Sequence, residues 1–410
     1  LQSYFIKRIE RFVNSKGRKI IGWDEILEGG LAPGAAVMSW RGFEGGAEAA
    51  KSGHNVVMSP VSHCYFDYYQ GDPSTEPTAG GGYLTLSRVY SFDPVPAELT
   101  PEEAKFIMGA QANLWTEYVA TPSHAEYMVV PRMTALSEVL WSPAEKRNWN
   151  DFSKRLAVMF RRFDIMGINY SHGTFAVNIN SSYNDKTNRF NVSFSGEQVN
   201  PEIRYTTDGT DPSMSSARYK KPFAISKTAT IKAAIFKDGK MMGAPSVKEI
   251  GITLATGKKV TYNEPYSHKY KACEDSTLVN GIMGSPRLDD GQWQGFEGNN
   301  MDVIIDLGKE VEFTDITADF LSAPGSWVFL PEKVTYYISA DGKNYTNAGS
   351  RITAIKPMDQ VNQRVAISLD TTSLKARYIR VVAGNIGTCP AGHAGEGGKA
   401  WIFSDEITVR

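Results

Sequence analysis

Three tryptophans, a Tyr-x-Asp pair and a Trp-x-Glu pair stand early in the chain, each at the end of a short apolar run. They are Trp23 in KIIGWDEIL, Trp40 in AAVMSWRG, Tyr65 and Asp67 in HCYFDYYQ, and Trp115 and Glu117 in GAQANLWTEYV. Aromatic rings pack on the apolar faces of sugars, and carboxylates accept hydrogen bonds from sugar hydroxyls. The mixture therefore predicts a hexose pocket and, with it, glycosidase chemistry. The catalytic acid that such chemistry needs is not evident among these motifs.

Positioning these side chains requires strands that end where the motifs stand. The runs KIIGW, AAVMSW, NVVMSP and FIMGAQANLW are continuous rather than alternating, as expected for parallel strands covered on both faces. Helical stretches fall around them. The first, LQSYFIKRIERFVNSKG, carries Leu1, Tyr4, Phe5, Ile9 and Phe12 near helical spacing; others run from Gly45 to Ser52, from Thr100 to Lys105 with Pro101 in the first turn, and from His124 to Trp141. Residues 1–172 thus read as a run of β/α units, four strands that would make half of an eight-stranded barrel with the pocket on its carboxyl-end loops. Gln70 to Glu98 reads as a long loop without periodicity, suited to covering the pocket or an oligomer interface. The chain opens inside a helical pattern, so it is expected to be a shortened version of a longer protein, and the missing signal peptide says little about location.

Beyond residue 172 the pattern changes to alternating, β-branched segments. Residues 173–255, with NRFNVSFSG, EIRYTTDGTDPS and ATIKAAIFKDGK and turn signals at Asp208-Gly209 and Asp238-Gly239, read as a small antiparallel sandwich. Residues 258–410 read as a jelly-roll β-sandwich of short strands, MDVIIDLGK, EVEFTDITADF, KVTYYISADG, RVAISLD, ARYIRVVAG and AWIFSDEITVR, with turns at Leu307-Gly308 and Asp341-Gly342. The fold class is therefore multidomain, a partial (β/α)8 barrel of about strands five to eight followed by two all-β sandwich domains.

Composition narrows the partners. With 44 basic and 45 acidic residues there is no net field to recruit nucleic acid or an acidic membrane, and no apolar run reaches the roughly 20 residues of a membrane span. Neutral glycans fit better. The histidines, at 54, 63, 124, 172, 268 and 393, show neither HxH nor HExxH spacing, which argues against zinc. Of the three cysteines, Cys273 and Cys389 could bridge, or all three could be free thiols.

These motifs resemble family-20 glycoside hydrolases, the β-N-acetylhexosaminidases. GWDEIL, MSWRG, the Tyr-x-Asp of CYFDYY and the LWTE around Trp115 occur in that family's order and approximate spacing, over the second half of its barrel. IRYTTDGTDPS looks like the small immunoglobulin-like domain that often follows the barrel, and DGQWQGFEG, ARYIRV and WIFSDEI are similar to discoidin-type carbohydrate-binding modules. The resemblance implies that Trp23, Trp40 and Trp115 wall a pocket for a 2-acetamido sugar and that Tyr65 donates to the acetamido oxygen. It also implies that Asp67 and Glu117 hold the O4 and O6 side. Its mechanism is substrate-assisted retention, in which the acetamido oxygen attacks the anomeric carbon. Tyr65 is the one catalytic residue the resemblance assigns here. The family's adjacent Asp-Glu pair follows a His-x-Gly-Gly run that this sequence lacks, and it is expected upstream of Leu1. Asp24-Glu25 belongs instead to the fifth-strand motif.

The implied activity is an exo-β-N-acetylhexosaminidase acting on glycans with terminal N-acetylglucosamine or N-acetylgalactosamine. The alternatives are a non-catalytic glycan-binding fragment or an inert one. No cofactor is implied for catalysis. The resemblance implies a periplasmic, cell-surface or secreted setting. A half barrel would leave strand edges and apolar surface open, so a homo-oligomer or the missing barrel half is an expected partner. The discoidin-like unit commonly carries one structural calcium, and the match nominates Asn280, Ser285 and Glu406 as ligands. Trp293, Trp327 and Phe329 are candidates either for sugar stacking or for the sandwich core. Glu138, in ALSEVLW, reads as a structural partner of Arg132 or a neighbour.

Overall fold

In the computed structural model, which describes residues 1–73, 75–359 and 361–410, the four continuous apolar runs become four short strands, β1 (Ile21–Trp23), β2 (Ala36–Ser39), β3 (Val56–Met58) and β4 (Ile107–Ala110). They form one parallel sheet in chain order, with Trp23 paired to Met38, Ser39 to Met58 and Met58 to Ala110. Parallel register brings all four carboxyl ends to one edge. Val37, Val56 and Met58 are fully buried.

The helices follow local rules. α1 (Gln2–Ser15) precedes the sheet and α2 (Glu44–Lys51) follows β2; the single turn α3 (Val61–Cys64) follows β3. The expected loop after Gln70 is in part helical. α4 (Leu86–Tyr90), capped by Thr85, buries Leu86, Val89 and Tyr90, a spacing too short to register as a period. α5 (Pro101–Ala104) has a capping box made by Thr100 and Glu103. The helix expected from His124 to Trp141 is two, α6 (Pro122–Val129) and α7 (Arg132–Trp141), because Pro131 has no N–H to continue the ladder. α8 (Trp149–Met166) was not foreseen. It buries Phe152, Leu156, Phe160 and Phe163, starts on the Asn148 cap and stops at Gly167 in a left-handed conformation.

α1 has an inverted face. Tyr4, Phe5 and Phe12 are each 62% exposed while Glu10 is buried, its carboxylate accepting the Gly34 N–H at 3.0 Å. Ile21 on β1 and Met108 on β4 are also exposed. The apolar residues of α1 recur at helical spacing, but they do not mark the face that it buries.

The chain divides into two compact units, Leu1–Asn178 with Ser195–Arg204 and Ala234–Ser246, and Ile179–Phe194 with Tyr205–Ala233 and Val247–Arg410. Between residues 178 and 250 lie two small sheets of three and four strands. Asp238-Gly239 makes the expected tight turn, both residues at positive φ, whereas Asp208-Gly209 opens a longer connection between Glu202–Thr206 and Ala217–Arg218. The second unit contains a seven-stranded sheet around a core that includes Val303, Ile305, Ile316, Phe320, Ile379, Val381 and Ile407. Two pairs of expected strands are each a single long one, Met301–Ser322 and Gln363–Ala383. Leu307-Gly308 is accordingly no hairpin turn. It sits where the register between these strands shifts, between Asp306 and Val311. All three cysteines are free. Among the described residues no helix is long and apolar enough to cross a membrane.

Candidate active site

Each motif hangs from the edge where the four strands end. Past β2, the buried Ser39 hydroxyl donates to the Gly42 carbonyl and accepts the Gly46 N–H, both at 2.9 Å, tying the Trp40 turn to the start of α2. Past β3 and β4 the pairing resumes. Tyr65 bridges Asn113 in parallel, the Phe66 N–H donates to the Asn113 carbonyl and the Asn113 N–H to the Cys64 carbonyl. The Asn113 side chain donates to Ser59 Oγ at 2.8 Å, and Ser59 Oγ donates to the Gln111 carbonyl. This second short ladder places Tyr65 and Asp67 beside Trp115.

The aromatic residues form a chain of contacts. Trp23 and Trp115 lie 6.0 Å apart between ring centroids, Trp40 and Tyr65 6.3 Å, and Tyr65 and Tyr68 5.8 Å. The Tyr65 hydroxyl meets the Trp115 indole and the Asn113 side chain; burial outweighs both and pushes its pKa up. Trp115 stays 43% exposed, so one wall of the box is open. Asp67 is buried, and its Oδ1 has no hydrogen-bond partner. Burial raises its carboxyl, with the Glu117 charge adding to the rise while the Arg132 charge and the Trp115 backbone N–H oppose it. Trp23, Trp40, Tyr65, Asp67 and Trp115 are thus linked by ring and hydrogen-bond contacts, while Glu117 is exposed and meets the set through the charge it exerts on Asp67.

Asp24 and Glu25 have other duties. The Asp24 carboxylate accepts the Trp40 and Arg41 backbone N–H groups at 3.1 and 3.2 Å and Arg41 Nε at 2.6 Å, and Glu25 accepts the Trp40 indole N–H at 3.0 Å. Together they fix the Trp40 ring. Removing three charge-assisted bonds from a buried acceptor is costly, although Arg41 is half exposed and its share is screened. D24A is expected to lose about 2–3 kcal/mol in urea unfolding and to alter the near-ultraviolet dichroism of the tryptophans. An unchanged midpoint would show that these bonds do not stabilise the site.

Glu138 has the structural role expected of it, with a partner other than Arg132, and Arg132 has a role that the sequence did not show. Glu138 does not pair with Arg132; it pairs with Arg155 of α8 and accepts the Tyr90 hydroxyl at 2.8 Å. Arg132 is fully buried and donates to main-chain carbonyls. Carbonyl partners leave no trace in a sequence.

In the second unit, the proposed cation ligands are brought together only in part. Glu406 Oε2 accepts the Gly281 N–H at 2.9 Å, while Oε1, in a side chain 1% exposed, has no partner. Asn280 is adjacent, its Oδ1 accepting the Ile282 N–H. Ser285 is exposed and its hydroxyl donates to Asp290 at 2.7 Å. Among the described residues no group of three His, Cys, Asp or Glu side chains is disposed to hold a metal. Trp293 and Phe329, each 2% exposed, are core residues, whereas Trp327 is 40% exposed and packs on Gly395 and Gly398.

Residues 1–144 match the family described as glycosyl hydrolase family 20, catalytic domain; residues 192–250 match Fn3 associated and residues 260–396 match F5/8 type C domain. The chain is similar to a beta-hexosaminidase of Porphyromonas gingivalis, 42% identical over 245 residues that cover 59% of this chain and 31% of that protein. It is also similar to a beta-N-acetylhexosaminidase of Cellulomonas fimi, 33% identical over 38% of this chain and 32% of that protein. A solved family-20 beta-N-acetylhexosaminidase from Streptomyces coelicolor matches at 30% identity over 41% of this chain and 35% of that one, with a TM-score of 0.38. The chain spans about a third of the length of the curated relatives it matches.

Proposed function

Because residues 1–144 match the catalytic domain of glycosyl hydrolase family 20, we propose that the cluster from Trp23 to Glu117 binds a terminal, non-reducing N-acetylhexosamine as part of an exo-β-N-acetylhexosaminidase. The observation that carries this reading is the orphan Oδ1 of Asp67 beside linked aromatic rings. A buried acceptor without a partner is costly and is expected where a ligand hydroxyl completes it. The tryptophans would enclose the acetamido group, and Tyr65 would orient its oxygen toward the anomeric carbon in a substrate-assisted step. Glu117 would meet the sugar at the rim.

Protonation of the leaving oxygen requires a carboxylic acid that the cluster does not supply, since Asp24 and Glu25 are spent on Trp40 and Arg41. In this reading the acid comes from a barrel segment other than residues 1–144. The same observation favours a second reading, a glycan-binding protein without turnover. Titration with N-acetylglucosamine and with glucose, followed by tryptophan fluorescence, tests the pocket; a response to the acetamido sugar well above that to glucose is expected. Release of a chromogenic N-acetylglucosaminide only when the complementary barrel segment is supplied would favour the enzyme. Selective binding without rescue would favour the second reading, and equal responses to both sugars would sink both. We further propose that the F5/8 type C unit binds glycan and holds a calcium ion, with the orphan Glu406 Oε1 and the Asn280 side chain among its hard oxygen ligands.

A further inference from the structure

A fully buried arginine in the first unit bonds the main chain of the segment that carries Tyr65, Asp67 and Tyr68. Arg132, at the start of α7, is fully buried. Its Nη2 donates to the Phe66 carbonyl and its Nη1 to the Tyr68 carbonyl at 3.0 Å, so one guanidinium grips the main chain on both sides of Asp67. The same group also donates to the Leu84 and Met128 carbonyls and lies 4.9 Å from the Phe66 ring centroid. Gln70 supports the clamp, its side chain donating to the Tyr127 carbonyl at 2.8 Å and its backbone N–H to Glu76 at 2.8 Å.

A planar fork with five donors is suited to this task, because it can satisfy several carbonyls at fixed angles. Burying it is expensive unless its charge is used. We propose that Arg132 is a positioning residue for the sugar site, clamping the segment that carries Asp67 and holding a positive charge behind its carboxylate. Asp67 and Glu76 act on the guanidinium through space. Burial pulls the guanidinium down to about 9, which still leaves it protonated near neutral pH. Asp67 faces Arg132 from α7 and Glu117 from the segment after β4, with Tyr65 and Tyr68 in its own segment. Arg132 is the cation among them, and its loss would leave burial and Glu117 unopposed.

The inference rests on the sugar-binding reading for what Asp67 does, but one of its measurements does not need sugar. Carbon-13 NMR of the aspartate carboxyls in the whole chain, with the Asp67 signal assigned from D67N, follows Asp67 in wild type, R132M and R132K. In R132M the Asp67 midpoint is expected to rise by about one pH unit or more, whereas R132K, which keeps the charge, should titrate near wild type. N-acetylglucosamine affinity should fall about tenfold or more in both, because lysine lacks the fork. An unmoved Asp67 midpoint in folded R132M would overturn the charge role, and wild-type affinity in R132K would overturn the clamp. If R132M does not unfold cooperatively, the neutral R132Q takes its place in the titration, and R132K still decides the clamp. If wild type binds no sugar while the R132M midpoint rises, the pocket reading fails and the charge role stands.

Discussion

D67N is expected to weaken N-acetylglucosamine binding about 10- to 100-fold while leaving the protein as stable as wild type or slightly more so. The two effects have one cause. Asp67 is buried with an unpartnered oxygen, and burial raises its carboxyl despite the opposing charge of Arg132. In the empty protein the ionised side chain is therefore held at a net cost, which an amide of the same shape relieves. A hydrogen bond from a sugar hydroxyl to a charged acceptor contributes about 1.5–3 kcal/mol, and that is what the ligand loses. The pH dependence follows. A carboxyl whose folded pKa lies above its unfolded value contributes stability that is full below the unfolded pKa and is lost as pH rises through the folded one. Wild type should thus lose this increment on going from acid toward neutral pH, and D67N should not. Calorimetric titration with the sugar and urea unfolding across that range check both halves. A variant that bound like wild type, or that lost more than about 1 kcal/mol, would contradict the account.

The placing of Trp23, Trp40 and Trp115 past strand ends was legible because a continuous apolar run marks a parallel strand and its exit, although burial on both faces does not extend to Ile21 on β1 or Met108 on β4. What hid from the sequence was partner identity. Arg132 and Asn113 bond main-chain groups, which every residue possesses, so no pairing rule points to them. Glu138 takes Arg155 rather than its helix neighbour because α8, whose phenylalanines recur at helical spacing, brings that arginine beside it. In the second unit, turn residues at Leu307-Gly308 were over-read. A glycine at φ 86° serves a register shift as well as a hairpin, and only the partner strand distinguishes the two. Ser285 donates to Asp290, five residues on, a local side-chain bond within its own loop. The face buried by α1 was the most misleading signal, since its apolar stripe is exposed and its buried residue is Glu10.

The second large effect concerns Glu406. Its carboxylate is buried within the last strand, Trp401–Val409, holds the Gly281 N–H with one oxygen and leaves the other without a partner. Burial drives its pKa well up, and the neighbouring Asp405 and Asp319 charges add to the rise. A divalent cation bound to that oxygen would offset both the burial and the repulsion, while main-chain carbonyls and the Asn280 amide completed a coordination of hard oxygens. Binding to the folded state alone stabilises by mass action, about 2.7 kcal/mol at a hundredfold excess over the dissociation constant. Adding calcium to chelator-treated protein is therefore expected to raise the unfolding temperature of the second unit by several degrees, with no such rise in E406Q. Because E406Q also removes a buried charge, without calcium it should unfold no earlier than wild type. That asymmetry separates a cation ligand from a carboxylate that serves Gly281 alone, for which wild type would gain nothing from calcium and E406Q, whose amide oxygen still accepts the Gly281 N–H, would behave like it.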